Sequence, residues 1–171
     1  MARDAIPRAL TLLLAPPGHD RLQRVVLAGE ALSRLSPLLE ADRAQAVRDL
    51  EADSQFSLPG RDGPFRLHLS IQEGRLVFDI RGHDDAPEAI HVLALGPFRG
   101  LIKDYHLLVE SYHLAIAEGR EARIQAIDMG RRGLHNEGAT LMRERLAGKA
   151  EIDFETARRL FTLVCVLHQR S

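Results

Sequence analysis

Between Asp128 and Gly138 the chain reads Asp-Met-Gly-Arg-Arg-Gly-Leu-His-Asn-Glu-Gly. Two guanidiniums, an imidazole, two carboxylates and an amide stand among three glycines, ahead of a strongly apolar terminal segment. Folding a helix does not require polar groups at that density, so this stretch is the best site candidate in the chain. On a continuous helix Asp128, Arg131 or Arg132, and His135 recur every three to four residues and share one face. Asp128 and Arg132 form an i,i+4 pair able to hold a guanidinium out toward a ligand. Arg131 and His135 then make a two-point site for a phosphate or carboxylate, with arginine supplying its planar fork. Gly130, Gly133 and Gly138 each lower helix propensity by ~1 kcal/mol against alanine. Close helix packing, a bend or backbone approach to a ligand would offset that cost. The competing reading is a polar network tying helices together, because buried polar groups are paired whatever their role. The spacing is not that of any named phosphate loop.

His135-Asn136-Glu137 offers a general base and a group to orient it. No serine or cysteine nucleophile signature accompanies them, and Asn136 also reads as the N-cap of a helix starting there. A second row lies upstream: His106, Glu110 and His113 at i, i+4 and i+7 resemble the metal-ligand spacing of helical bundles. That row sits on the border of an apolar face, and one helix alone supplies neither the remaining ligands nor their outer shell. Packing histidines are the favoured reading. No metal site and no cofactor are assigned.

The elements that must position these residues follow from periodicity. Arg24-Val-Val-Leu27 is β-branched enough for a strand. Ser36-Pro37 opens a helix to Asp53, with serine as N-cap and proline at the first helical position. Phe65, Leu67, Leu69 and Ile71 alternate with polar residues, as do Leu76, Phe78 and Ile80 beyond Glu73-Gly74. A two-residue turn there pairs Ile71 with Leu76, Leu69 with Phe78 and Leu67 with Ile80, so every apolar residue meets another. The opposite face pairs His68 with Asp79 and Arg66 with Arg81, where Asp79 would screen the two arginines. Ile90 to Leu95 is a third strand, and Gly96-Pro97 closes the sheet. Phe98–Ala117 is a helix with Leu107 and Leu114 opposite its main apolar face, which predicts burial between the sheet and later helices. Arg120–Gly148 reads as helical, bent or broken near Gly130 to Gly138. Asp153 caps the last helix, which is apolar almost all round through Gln169.

The 171 residues suit one domain, 1–171, with residues 1–20 as an edge strand or arm. The fold class is α+β: a small antiparallel sheet of three to four strands packed against about four to five helices. Net charge is −1 and the pI about 6.7, which argues against non-specific nucleic-acid binding. The single cysteine, Cys165, lies in Leu163-Val-Cys-Val-Leu167 and reads as a buried thiol in a reducing compartment. Pro16-Pro17 ends the short apolar run Ala9 to Ala15, so neither a signal peptide nor a membrane span is read. The expected location is the cytoplasm. The terminal helix is apolar enough to suggest a homodimer.

Several segments resemble one bacterial family. They are Gly63-Pro-Phe-Arg-Leu-His-Leu69, Leu101-Ile-Lys-Asp-Tyr105, Glu110-Ser-Tyr112, Ala126 to Gly138 and Asp153 to His168. Together they look like uncharacterised protein family (UPF) 0262, found mainly in one class of Gram-negative bacteria, over roughly residues 36 to 168. The resemblance implies no activity. It does match Lys103, Tyr105, Glu110 and Tyr112, which are taken as supporting residues. The expected function is therefore a non-catalytic binding or accessory protein. Its anion site comprises Asp128, Arg131, Arg132, His135, Asn136 and Glu137, and its partner is an anionic ligand or a protein. The alternative is a small metal-assisted or acid/base hydrolase using His135 and Glu137.

Overall fold

The structure, a computed structural model, describes residues 19–168, so the expected N-terminal edge strand lies outside it. The α+β class holds, as a four-stranded sheet carries helices over one face. The strands are β1 (Leu22–Ala28), β3 (Phe65–Gln72), β4 (Arg75–Gly82) and β5 (Pro87–Ala94), in the order β1-β3-β4-β5. The helices are α1 (Pro37–Ala52), α2 (Arg99–Ala117), α3 (Glu121–Leu146) and α4 (Phe154–Leu167). A two-stranded ribbon joins β2 (Phe56–Ser57) to β6 (Glu151–Ile152).

The β3–β4 hairpin has the register its alternation requires: Ile71 faces Leu76, Leu69 faces Phe78 and Leu67 faces Ile80. Glu73 and Gly74 both take positive φ, 51° and 73°, as a two-residue turn matching strand twist demands. On the open face Arg81 is held by Asp79 at 2.9 Å and Asp85 at 2.8 Å, which neutralises its pairing with Arg66.

The sheet is mixed rather than antiparallel. β1 runs parallel to β3, because α1 carries the chain from one to the other. The far side of β1 is covered from α1 and the residues just beyond it: Ser54 Oγ accepts from the Leu22 N–H and Glu51 from the Val25 N–H. Those bonds satisfy edge donors that would otherwise be open to another strand. Ser36 caps α1 through the Leu39 N–H, and Asp153 caps α4 through the Thr156 N–H, both as the sequence indicates.

Two expectations about the helices are corrected. The central helix is α4, not α2: Leu160, Phe161, Leu163, Val164, Cys165 and Val166 are fully buried. Its apolar surface is thus covered within one chain, which removes the reason for placing a dimer interface there. The second apolar side of α2 is open, with Leu107 and Leu114 exposed. The other correction concerns α3, which runs unbroken through all three glycines and needs no cap at Asn136.

Candidate functional site

Each helix delivers one part of a polar cluster through a stripe that is otherwise apolar. On α1 the buried stripe is Leu39, Ala46 and Leu50, and Asp42 occupies the intervening position. Its side chain is only 16% exposed. On α2, Tyr105 lies between buried Ile102 and Val109, and Tyr112 follows two turns later. On α3, Arg131 and His135 flank buried Leu134, while Arg158 on α4 precedes buried Phe161 by one turn.

The Tyr105 hydroxyl donates to Asp42 Oδ2 at 2.6 Å, and Arg131 Nη2 donates to the two oxygens of the same carboxylate at 3.3 and 3.4 Å. The Arg131 guanidinium also lies 6.0 Å from the Tyr112 ring centroid. Burial, followed by the adjacent Asp42 charge, pushes the Tyr105 phenol well above its ordinary range, so it stays a donor. Arg131 is therefore engaged inside the protein, on a carboxylate 89 residues away in sequence.

His135 packs edge-on against the Tyr105 and Phe161 rings, at centroid distances of 6.0 and 5.8 Å. Its Nδ1 lies 2.7 Å from the Arg131 carbonyl oxygen. A carbonyl only accepts, so Nδ1 carries the proton and Nε2 of the neutral ring is a lone-pair acceptor. Burial holds the imidazole below its usual range, and the Arg131 and Arg158 charges push the same way against the backbone hydrogen bond.

These groups open into a cleft of about 310 Å³ lined by Asp128, Arg131, Arg132, His135 and Arg158. Three guanidiniums and an imidazole face one carboxylate. Arg158 reaches Glu155 at 3.3 Å through Nη1, but its Nε is buried without an acceptor. Among the described residues it is the one buried side-chain nitrogen or oxygen in that state. Asp128 and Arg132 share the rim without closing to an ion pair among the described contacts, so the expected i,i+4 bridge is absent and Arg132 is not drawn to its own helix.

Of the residues singled out in sequence, the cleft brings together Asp128, Arg131, Arg132 and His135, with Tyr105 and Tyr112 behind them. Asn136 and Glu137 do not join. They line a separate depression with Thr140, Leu141 and Glu144 on another face of α3. On a continuous helix His135 and Glu137 diverge by about 200°, so the pair needed for acid/base work is not assembled. Lys103 and Glu110 are exposed on α2 and outside the cleft lining. His106 donates from Nε2 to the carbonyls of Cys165 and His168 at 2.9 and 2.8 Å, where it closes the C-terminal end of α4. Among the described residues no three His, Cys, Asp or Glu side chains gather as metal ligands.

Sequence reasoning missed Asp42 and Arg158. Each left the same signal, a charge spaced into a core stripe: Leu39-Asp42-Ala46 and Arg158-Phe161-Cys165. The glycines divide by role. A Cβ on Gly138 would lie 2.4 Å from the Phe161 ring, so this glycine lets α3 approach α4. A Cβ on Gly130 would meet the Leu108 side chain at an ordinary 3.6 Å, and one on Gly133 would meet nothing within 4 Å.

The profile described as Uncharacterised protein family (UPF0262) matches residues 19–170. A UPF0262 protein of Granulibacter bethesdensis is 71% identical, over 88% of this chain and 90% of the relative. One from Acidiphilium cryptum is 60% identical over 90% and 95%, and one from Rhodospirillum rubrum 52% over 88% and 94%. No solved structure matches the chain.

Proposed function

We propose that this chain, which belongs to the uncharacterised protein family UPF0262, is a non-catalytic binding protein whose α3–α4 cleft captures an anionic group. The observation that carries this reading is the convergence of the Arg131, Arg132 and Arg158 guanidiniums on one cleft whose lining holds a single carboxylate, Asp128. Paired guanidiniums offer the forked donors that a phosphate or carboxylate accepts. Arg131 is oriented within that wall by Asp42.

Near-neutral net charge favours such a focused site over a surface that holds nucleic acid at large. No helix among the described residues is long and apolar enough to cross a membrane. The reading places the protein in the cytoplasm, in keeping with its single buried thiol. Its ligand is a small anion or an anionic group on a protein partner.

Titration calorimetry with inorganic phosphate, sulfate, a nucleoside monophosphate and a dicarboxylate tests the reading on the parent and on Arg132→Ala and Arg158→Ala. At least one anion should bind, and each variant should lose tenfold or more in affinity. A ligand at ~100 times its Kd should also stabilise the parent by ~2.7 kcal/mol. Arg131→Ala is a poorer probe, because it also strips Asp42 of its cation. Absence of binding by all four anions at millimolar concentration, with both variants still folded, would make the cluster purely structural.

A further inference from the structure

His135 presents an acceptor to a cleft whose other lining groups are three guanidiniums and the Asp128 carboxylate, and that acceptor selects among anions. The Arg131 carbonyl fixes the imidazole proton on Nδ1, leaving the Nε2 lone pair. No partner for Nε2 is found among the described residues, and the His135 side chain is only partly buried. The cleft is the opening His135 lines. The ring cannot readily offer a donor instead: it is wedged edge-on between Tyr105 and Phe161, a flip would give up the hydrogen bond to the Arg131 carbonyl, and moving the proton to Nε2 would set a bare Nδ1 lone pair against that carbonyl.

We propose that the cleft takes an oxyanion that still carries a hydroxyl, hydrogen phosphate or a monoprotonated phosphomonoester, in preference to a fully deprotonated one such as sulfate. The guanidiniums of Arg132 and Arg158 hold the unprotonated oxygens, and the P–O–H donates to His135 Nε2. No bond is made or broken beyond that hydrogen bond. A sulfate oxygen in the same place sets lone pair against lone pair unless His135 first takes a proton from solution. That proton is opposed by Arg131 and Arg132 from its own helix and by Arg158 from α4. Asp128 at the cleft and Asp42 from α1 favour it, and the Tyr105 phenol from α2 is neutral. Inorganic phosphate has at least one hydroxyl throughout the neutral range, whereas sulfate has none. This inference rests on the anion-binding reading and sharpens it to one ligand class.

The test is calorimetry of the full chain with inorganic phosphate and with sulfate at pH 8 and at pH 5.5, repeated on His135→Gln, whose amide can donate as well as accept. Phosphate is expected to bind at least ~10-fold tighter than sulfate at pH 8. The preference should shrink as the pH falls toward the lowered folded-state pKa of His135, where the imidazolium can donate to sulfate, and vanish in His135→Gln at both pH values. Equal affinities for the two anions at pH 8 would overturn the selectivity and leave the anion site standing. If neither anion binds the parent, the anion-binding reading fails and takes the inference with it. An unchanged preference in a folded His135→Gln would show that His135 is not the selecting group.

Discussion

Tyr105 donates a 2.6 Å hydrogen bond to Asp42, and that one contact fastens α2 to α1 beneath the cleft. The same carboxylate receives Arg131 from α3. One largely buried acidic group thus fixes the relative placement of three helices and aims the guanidinium that walls the site.

Removing the two partners should have unequal costs. Tyr105→Phe deletes a donor but leaves Asp42 its arginine, and should lower stability by about 1–2 kcal/mol. Asp42→Ala strands both the phenol hydroxyl and the Arg131 guanidinium and should cost about 3–5 kcal/mol, because it leaves a largely buried charge unpaired. Urea unfolding of both variants and the double mutant reads the coupling directly. Additive effects would mean that the contact carries no shared energy.

Stability should fall as the solution is acidified below pH 7, in part through His135. Burial lowers its folded-state pKa beneath the unfolded value near 6.5. Between those two values the unfolded chain holds more protons, so this contribution is complete above about pH 6.5 and is lost as pH drops toward the folded pKa. His135→Phe keeps a ring between Tyr105 and Phe161 and abolishes the titration. Its melting temperature should vary less between pH 7 and pH 5 than the parent's. A slope identical to the parent's would show that other groups account for the whole effect.

Two glycines on one helix should respond to alanine in opposite directions. Gly138→Ala drives a methyl into the Phe161 ring and should destabilise by about 1–3 kcal/mol, with partial recovery when combined with Phe161→Leu. Gly133→Ala meets open space on an exposed helix face and should stabilise by up to ~1 kcal/mol. Denaturant midpoints decide between them. A neutral Gly138→Ala would mean that α3 and α4 can part without loss.

Cys165 should be inert to thiol reagents while the protein is folded. Its side chain is fully buried in α4, and burial raises the thiol pKa far enough to suppress the reactive thiolate. Reaction with a disulfide reagent should therefore follow the unfolding rate and become rapid only in denaturant. Fast labelling under native conditions would show that α4 opens locally.

Local pattern determined much of this protein. Alternation and a glycine turn set the β3–β4 register residue by residue, since a slip by one would reverse every apolar side chain. Ser36 and Asp153 fix two helix starts because a cap bonds its own first turn. Helical periodicity also places Asp128, Arg131, Arg132 and His135 on a common side, for those positions are neighbours on one element. Tertiary structure decided what that element faces. The parallel pairing of β1 with β3 depends on a crossover through α1, which no local signal specifies. Asp42 and Arg158 enter the cluster from 89 residues before Arg131 and from a helix after it, and only packing brings them together. The same packing separates Glu137 from His135, two positions apart in sequence but on different sides of α3. Contacts within a few residues obey spacing, and contacts between helices obey which faces are buried against which.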